Sequence, residues 1–530
     1  MPQHDRTHDV IVIGSGFGGT MAAHALVDAG RRVLMLERGG WVARGPQNWA
    51  PDGVGELTEH YATETPYYVE QEAGPKRVGA YFCVGGPSVF YGGVSLRYRE
   101  RDFEPQAEIV GESGACWPFG YEALEPYYAE AERLIGVAGS ADSDPTEPLR
   151  STAYPQPPAG LAPPSEMISR AASRLGLHPF PLPLALNYGN GDGRAACQSC
   201  ATCDGFACAV GAKNDLATAV IPSLVRRGME LRSGVVVTRL RCAGKRIEAV
   251  EAVDRRTGER LELRANAFVL AAGALASPHL VLASDLQHLN PGGAAVGRYL
   301  MRHYNEIVFG LFARAPGRHR RFHKQLGIHD FYFGHPSRGP TGKLGALQQL
   351  PTPPAALVRA NLPRYLAPLA APLVDHLTGL LVIAEDQPQF DNRVTIDESA
   401  RDRWGLPRLV IRHRYTNRDR DAGRTLAREA RRILRRAGAL ALYRHRILTF
   451  SHAVGTMRMG SDAETSVLDE WGAFRGLENL HVVDGSALPT SAGVNPSLTI
   501  AANALRAGRR IAQQLRDSLS ARADAAASHG

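Results

Sequence analysis

The sequence predicts an α/β protein, in which a Rossmann-type parallel sheet is assembled from separated stretches of chain and accompanied by a second α+β unit built on an antiparallel sheet. Three observations predict it. Residues 9–37 read as strand, glycine turn, helix and strand. Strand-like runs return far downstream at Val235–Leu240, Ala267–Ala271 and Leu480–Val483, each ending near a glycine or an acidic residue. Residues 301–445 mix strand and helix patterns without such turns, as an inserted unit would. The first unit therefore spans 5–300, with connector or lid segments around 100–190, and resumes over 446–517; the second occupies 301–445, and the small, polar residues 518–530 read as a disordered tail.

The length of 530 residues fits roughly two to four domains and excludes a peptide or a single binding module. Hydrophobic residues make up 44% and charged residues 22%, a globular balance that excludes collagen, coiled coil and disorder as dominant states. The net charge of +8 raises a nucleic-acid partner, but its distribution argues otherwise. Residues 412–446 hold twelve Arg against Asp419, Asp421 and Glu429, a balance of +9 that leaves −1 for the rest. Leu426, Ala430, Ile433, Leu434 and Ala437 recur there at helical spacing, so the arginines form the solvated face of one amphipathic helix, and no nucleic acid is expected.

No cleavable leader is expected ahead of the strand at Val10–Ile13. The longest apolar stretch, Leu366–Ala384, is interrupted by Pro368, Pro372, Asp375 and His376, so no transmembrane segment is expected either; it reads as a lid or as core. A cytoplasmic location follows as the default, which turns the seven cysteines away from disulfides. Tyr154–Pro164, with five prolines, and Pro351–Pro354 read as extended connectors.

The strand Val10–Ile13 runs into Gly14-Ser15-Gly16-Phe17-Gly18-Gly19 and a helix of small residues. Gly14 allows the tight turn, Gly16 lets a pyrophosphate approach the backbone, and Gly19 packs helix on strand. Glu37 closes the next strand 18 residues beyond Gly19, where a carboxylate accepts ribose hydroxyls. NAD and FAD both satisfy this pattern. The strand ends at Ala271-Ala272-Gly273 and at Val483-Asp484-Gly485 add two further carboxyl-terminal edges, and three such edges suit a flavin dinucleotide held along its length better than a nicotinamide that leaves each cycle.

Along nearly its whole length the sequence resembles the glucose-methanol-choline (GMC) oxidoreductases. The resemblance rests on the first glycine motif, Gly85-Gly86-Pro87-Ser88-Val89-Phe90-Tyr91-Gly92-Gly93, Trp117-Pro118 with Tyr121–Tyr128, Val296–His303, Asn392–Thr395, Ser451-His452-Ala453-Val454-Gly455-Thr456-Met457-Arg458-Met459-Gly460, and Val494–Thr499. It implies FAD and the oxidation of an alcohol CH–OH to a carbonyl, with residues 301–445 as the substrate-binding domain. The cofactor-contacting positions are then Gly14, Gly16, Phe17, Gly18, Gly19 and Glu37; Gly86, Ser88, Gly92 and Gly93; Val237; Ala272 and Gly273; and Asp484, Gly485, Asn495 and Pro496. Pro87 stands where the family usually has Ser, and Phe90 or a neighbour where some relatives carry a histidine bound covalently to FAD, so a noncovalent flavin is expected.

Removing hydride from an alcohol requires that the hydroxyl proton leave too, so a base must touch the oxygen. His452 is the candidate base, since imidazole titrates near neutrality, and Asn495 the candidate that holds the same oxygen through its amide N–H. The resemblance implies His or Asn at the latter position. Two rival readings are a redox-silent flavoprotein of lyase type and a non-catalytic nucleotide-binding protein. The expected partner is a small-molecule alcohol such as a sugar, polyol or sterol; oxygen, a quinone and a redox protein all stand open as electron acceptor.

Cys197, Cys200 and Cys203 share the spacing of iron–sulfur ligands, and Cys208 follows closely. The set lacks the Cys-Pro ending of bacterial ferredoxins, so a metal or iron–sulfur site stands beside the reading as a reduced loop. Cys83, Cys116 and Cys242 are isolated and read as small buried residues.

Overall fold

The computed structural model describes residues 8–49, 61–70, 76–189, 193–319, 324–336, 342–360 and 371–527. Its central layer is a five-stranded, wholly parallel sheet in the order Leu480–Val482, Ala267–Leu270, Val10–Ile13, Val33–Glu37, Glu230–Ser233. The three central strands are buried at every position and carry unbroken apolar runs such as Val-Ile-Val-Ile, as a sheet covered on both faces requires. The helices Phe17–Asp28 and Ser497–Ala527 cover it, and a Cβ at Gly508 would lie 2.9 Å from Ala22 O, so small residues bring their backbones together.

The run at Val235 departs from the expected grouping. Strand Val235–Ala243 pairs antiparallel with Arg246–Asp254, which pairs with Arg260–Leu263, so it forms a separate three-stranded sheet. Its alternating burial, with one face exposed, marks an antiparallel ribbon rather than a central parallel strand. The fifth parallel strand is instead Glu230–Ser233, too short and polar to stand out in the sequence.

The second large sheet is six-stranded and antiparallel, in the order Ala441–Arg446, Tyr304–Leu311, Leu377–Ala384, Gly345–Leu350, Leu326–Ile328, Phe180–Pro181. The apolar stretch ending at Ala384 therefore supplies a buried strand over Leu377–Ala384; its portion 366–370 lies outside the described residues. Helix Asn417–Arg436 packs on this sheet through Leu426, Ala430, Ile433 and Leu434, with Tyr304, Val308 and Leu380 opposite. Thr416 caps it reciprocally with Asp419, and Arg420, Arg424 and Arg435 stay exposed, as the spacing predicts. A four-stranded sheet, Arg393–Arg401, Pro407–Arg412, Tyr61–Val69 and Lys76–Tyr81, joins distant stretches of chain.

The C-terminal helix runs to Ala527, past residue 518 where a tail is expected. Ala521, Arg522, Ala523, Ala525 and Ala526 are strong helix formers, and a helix already nucleated against the core propagates through them. Among the described residues no helix is long and apolar enough to cross a membrane. Leu426 is fully buried. Leu426→Ala should lower the stability of the antiparallel layer by about 2–5 kcal/mol, read as an earlier chemical-denaturation midpoint with bound flavin retained at low denaturant.

Candidate functional site

Three strand ends of the parallel sheet open on one crevice. At Gly14, φ is +103° and a Cβ would lie 2.4 Å from Ala271 O; at Gly19 it would lie 1.9 Å from Gly14 O, and at Gly18 2.5 Å from Val483 O. The first turn is thus packed backbone to backbone against the second and third strand ends. At Gly16 and Gly273 a Cβ would meet nothing within 4 Å, so these two backbones face open space, the cradle that an anionic pyrophosphate needs at a helix N-terminus.

Glu37 closes the neighbouring strand. Its Oε2 accepts from the Ser15 N–H (3.1 Å) and hydroxyl (2.6 Å), and its Oε1 from the Gly39 N–H (2.8 Å). Burial raises its pKa against these bonds. The Gly234 N–H donates to Gly39 O at 3.1 Å, which brings strand Val235–Ala243, and with it Val237, beside the same turn. The donor set and the open backbone fit FAD.

The loop 85–93 closes the crevice. Ser15 Oγ accepts from the Gly85 N–H at 3.0 Å, a Cβ at Gly86 would lie 3.2 Å from Gly16 Cα, and the Phe17 and Tyr91 rings are 5.7 Å apart. Ser88 faces inward: its hydroxyl donates to Gly85 O at 2.7 Å and accepts from the Leu216 N–H at 3.1 Å. Gly93 O accepts from the Ala185 N–H at 2.7 Å. A Cβ at Gly92 would lie 3.1 Å from Lys324 Nζ, which pairs with Asp204 at 2.6 Å. Phe90 stacks on Tyr81 at 4.7 Å.

Asp484 organises the crevice through its carboxylate. It accepts from the Gly273 N–H (2.8 Å), the Ser277 hydroxyl (2.5 Å), and the Ser486 N–H (2.8 Å) and hydroxyl (2.5 Å), so both oxygens serve the protein's own turns. Ala272 donates its N–H to the same Ser277 at 3.1 Å.

His452 is positioned by backbone on both sides. Val454 exchanges hydrogen bonds with Met301 at 3.0 Å each way, Gly297 donates to Thr456 O at 2.7 Å, and the N–H groups of Gly455 and Met457 reach Gly485 O and Ser486 O. Gly455, with φ +96°, passes so close that a Cβ would lie 2.5 Å from Tyr299 O; this explains the glycine of the motif. Thr456 donates to Ala274 O at 2.6 Å, and Arg458 lies over the Tyr299 ring at 3.6 Å.

Asn495 arrives on a loop held from below. The Trp117 indole donates to Thr490 (2.8 Å), Tyr98 donates to Ser491 O (2.7 Å), the Gly493 N–H donates to Tyr332 (2.9 Å), and Tyr128 bonds Thr499 (2.7 Å). The Trp and Tyr motif residues thus hold this loop. Asn495 Nδ2 lies 3.2 Å from His452 Nε2, and Asn495 Oδ1 accepts from Gln348 Nε2 at 2.6 Å. The two predicted site residues therefore meet, and Pro496 leads directly into the helix at Ser497.

Three neighbours were not singled out by the sequence reasoning. Gln348 is buried on strand Gly345–Leu350, a polar residue at an otherwise unremarkable strand position. His303 places Nδ1 3.0 Å from His452 Nδ1, and Asp386 accepts the His303 backbone N–H at 3.0 Å. His303 closes the quoted block Val296–His303, which was the one available signal. Burial foremost, together with His303 and Lys324, holds the pKa of His452 well below its usual value, with Asp386 opposing.

The cysteines behave otherwise. Among the described residues no three of the sulfurs of Cys197, Cys200, Cys203 and Cys208 converge within 4.8 Å, and all seven cysteines are free thiols. Burial pushes the Cys203 thiol up to about 12. Cys83 is buried as expected, whereas Cys116 is exposed and Cys242 partly so.

Comparison with known proteins follows the same lines. Family models match residues 74–305 and 388–504 as GMC oxidoreductase and residues 9–53 as FAD binding domain. The 6'''-hydroxyparomomycin C oxidase of Streptomyces lividus is 34% identical, over 96% of this chain and 92% of its own length. The 2-methyl-1,2-propanediol dehydrogenase of Mycolicibacterium austroafricanum is 30% identical, over 96% of each. In fold, the crystal structure of pyridoxine 4-oxidase from Mesorbium loti superposes with a TM-score of 0.66 at 19% identity, over 95% of this chain and 99% of that one.

Asp484→Asn replaces an acceptor oxygen by an amide facing the Gly273 and Ser277 donors. Losing charge-assisted bonds of about 1.5–3 kcal/mol should weaken FAD retention roughly tenfold or more, measured by fluorescence titration of the flavin-stripped protein.

Proposed function

This chain belongs to the GMC oxidoreductase family, and from that premise we propose that His452 and Asn495 carry out proton removal and orientation in its oxidation of an alcohol CH–OH group. The observation that carries the assignment is the 3.2 Å approach of the Asn495 amide nitrogen to His452 Nε2, beside the crevice that fits FAD. A substrate oxygen that accepts from Asn495 Nδ2 lies within reach of the imidazole, which takes the hydroxyl proton. Bound FAD supplies the hydride acceptor. Gln348, by engaging Asn495 Oδ1, turns the amide N–H toward His452 and the substrate.

Noncovalent FAD is the cofactor we assign, since Phe90 is buried against Tyr81 where a tethering side chain would have to reach the crevice. The separated thiols of Cys197–Cys208 supply no ready ligand set, so the reading rests on flavin alone. The substrate is a small alcohol with polar groups: the buried Gln348 and the Lys324–Asp204 pair beside Gly92 favour a hydroxylated molecule over a sterol. This agrees with the paromomycin-type and diol substrates in the relatives' names.

His452→Ala should keep FAD and lose about 100-fold or more in the single-turnover rate of flavin reduction by substrate. Unchanged reduction in that variant contradicts the assignment. Because the pKa of His452 is depressed, its neutral, proton-accepting form persists as pH falls through 6.5. The reduction rate should therefore hold its neutral-pH value below pH 6.5; an acid limb centred at or above 6.5 would show a different base.

A further inference from the structure

The hydrogen-bond polarity of the site is set by one atom. The carbonyl oxygen of Ser491 has no hydrogen to give, so His303 Nε2, 2.9 Å away, carries one. His303 is buried, sits at φ +62°, and is held there by Asp386 on its N–H and by the Tyr415 hydroxyl on its carbonyl at 2.8 Å. Burial lowers the pKa of this ring, against Asp386 and the backbone bonds, and in the neutral ring a hydrogen on Nε2 leaves Nδ1 a bare lone pair. His452 Nδ1 faces that lone pair at 3.0 Å, and two bare nitrogens repel at this distance. The hydrogen of His452 is therefore on Nδ1 and its Nε2 is bare.

The same logic settles the amides. A bare Nε2 requires the Asn495 N–H at 3.2 Å, and Asn495 Oδ1 then accepts from Gln348. The opposite amide orientation would demand a hydrogen on His452 Nε2, leaving bare Nδ1 against bare Nδ1.

We propose that His303 is a positioning residue which, fixed by the Ser491 carbonyl, locks His452 in the Nδ1–H tautomer and so reserves Nε2 for the substrate hydroxyl. Gln348, Asn495, His452, His303 and Ser491 then form one run of hydrogen bonds of a single direction. In the reaction the substrate O–H bond breaks and its proton goes to His452 Nε2; FAD, when bound, would supply the acceptor for the C–H hydride. The resulting imidazolium already donates from Nδ1 to His303, and that bond strengthens as it becomes charge-assisted, favouring the state after proton transfer. A carboxylate in place of His303 would fix the same tautomer but raise the pKa of the base; a neutral imidazole fixes it without doing so.

The inference rests on the proposed role of His452, and its test separates the two. In holoenzyme carrying ring-15N histidine, with the signals identified by their loss in His452→Gln and His303→Asn, His452 should be protonated at Nδ1 and His303 at Nε2. The reverse on either ring overturns the proposal. In kinetics, His303→Leu should lower kcat on the order of a hundredfold with KM within about threefold and full FAD content. His303→Asn should recover most of that loss, because its Oδ1 can accept from His452 and Asn tolerates positive φ. Equal loss in both variants, or none in His303→Leu, overturns it. If His303→Leu fails to hold FAD, the nitrogen spectra of the wild-type protein decide alone. Wild-type reduction by His452→Ala defeats the assignment of the base; loss of reduction there with a reversed tautomer defeats only the inference about His303.

Discussion

Asp386 stands just beyond the buried strand Leu377–Ala384 and accepts hydrogen bonds from three other stretches of chain. The N–H groups of Arg302 and His303 reach it at 2.9 and 3.0 Å, the Ser491 hydroxyl at 3.0 Å, and His413 Nε2 at 3.3 Å. Burial works against its charge, yet the His413 hydrogen bond and the backbone donors hold its pKa below the usual range. An ionised carboxylate in the interior needs this complete a set of donors, and each donor is thereby fixed. The chain segment that carries His303, the loop that leads to Asn495 and the end of the antiparallel sheet are consequently set relative to one another by a single side chain.

That constraint explains why a histidine adopts a left-handed backbone at position 303. Such a conformation costs of order 1–3 kcal/mol and persists only where the surroundings over-determine it. Here the N–H, the carbonyl and the ring Nε2 of one residue are each held by a different partner. Ser491 takes part twice, its hydroxyl on Asp386 and its carbonyl on His303.

Much of this was legible in the sequence, for physical reasons that differ by element. The parallel strands announce themselves because burial on both faces leaves unbroken apolar runs, and the glycine turn because close backbone packing excludes side chains at Gly14, Gly18 and Gly19. The pairing of His452 with Asn495 was legible through local motifs that here prove to be backbone clamps, as at Gly455. What could not be read depends on tertiary register. Nothing local marks Gln348 as the residue that turns the Asn495 amide, and Asp386 draws its meaning from Arg302, His303 and Ser491, each more than 80 positions away, and from His413. The Val235 run failed for the converse reason, since an antiparallel ribbon with one buried face has a strand signal like that of a parallel edge. Ser88 and Asp484 read as cofactor contacts by position, yet their side chains are spent on shaping the loops that would contact it.

The division of labour between the two sheets has a consequence for how such a site changes. His452 lies on a segment clamped between 297–301 and 485–487, so the residue proposed as base belongs to the frame that surrounds the dinucleotide crevice. Gln348 and Lys324 come from the antiparallel side, and they reach the same place by side chain alone. Substitution on that sheet can alter the shape and polarity offered to an alcohol while the backbone clamps on His452 stay intact. The limit is set by His303 and Asp386, which belong to both sides at once: a change there disturbs the orientation of the base as well as the pocket. A family that keeps the glycine turn and the histidine block while acting on different alcohols is what this arrangement permits, because the proton-accepting geometry and the recognition surface share few atoms.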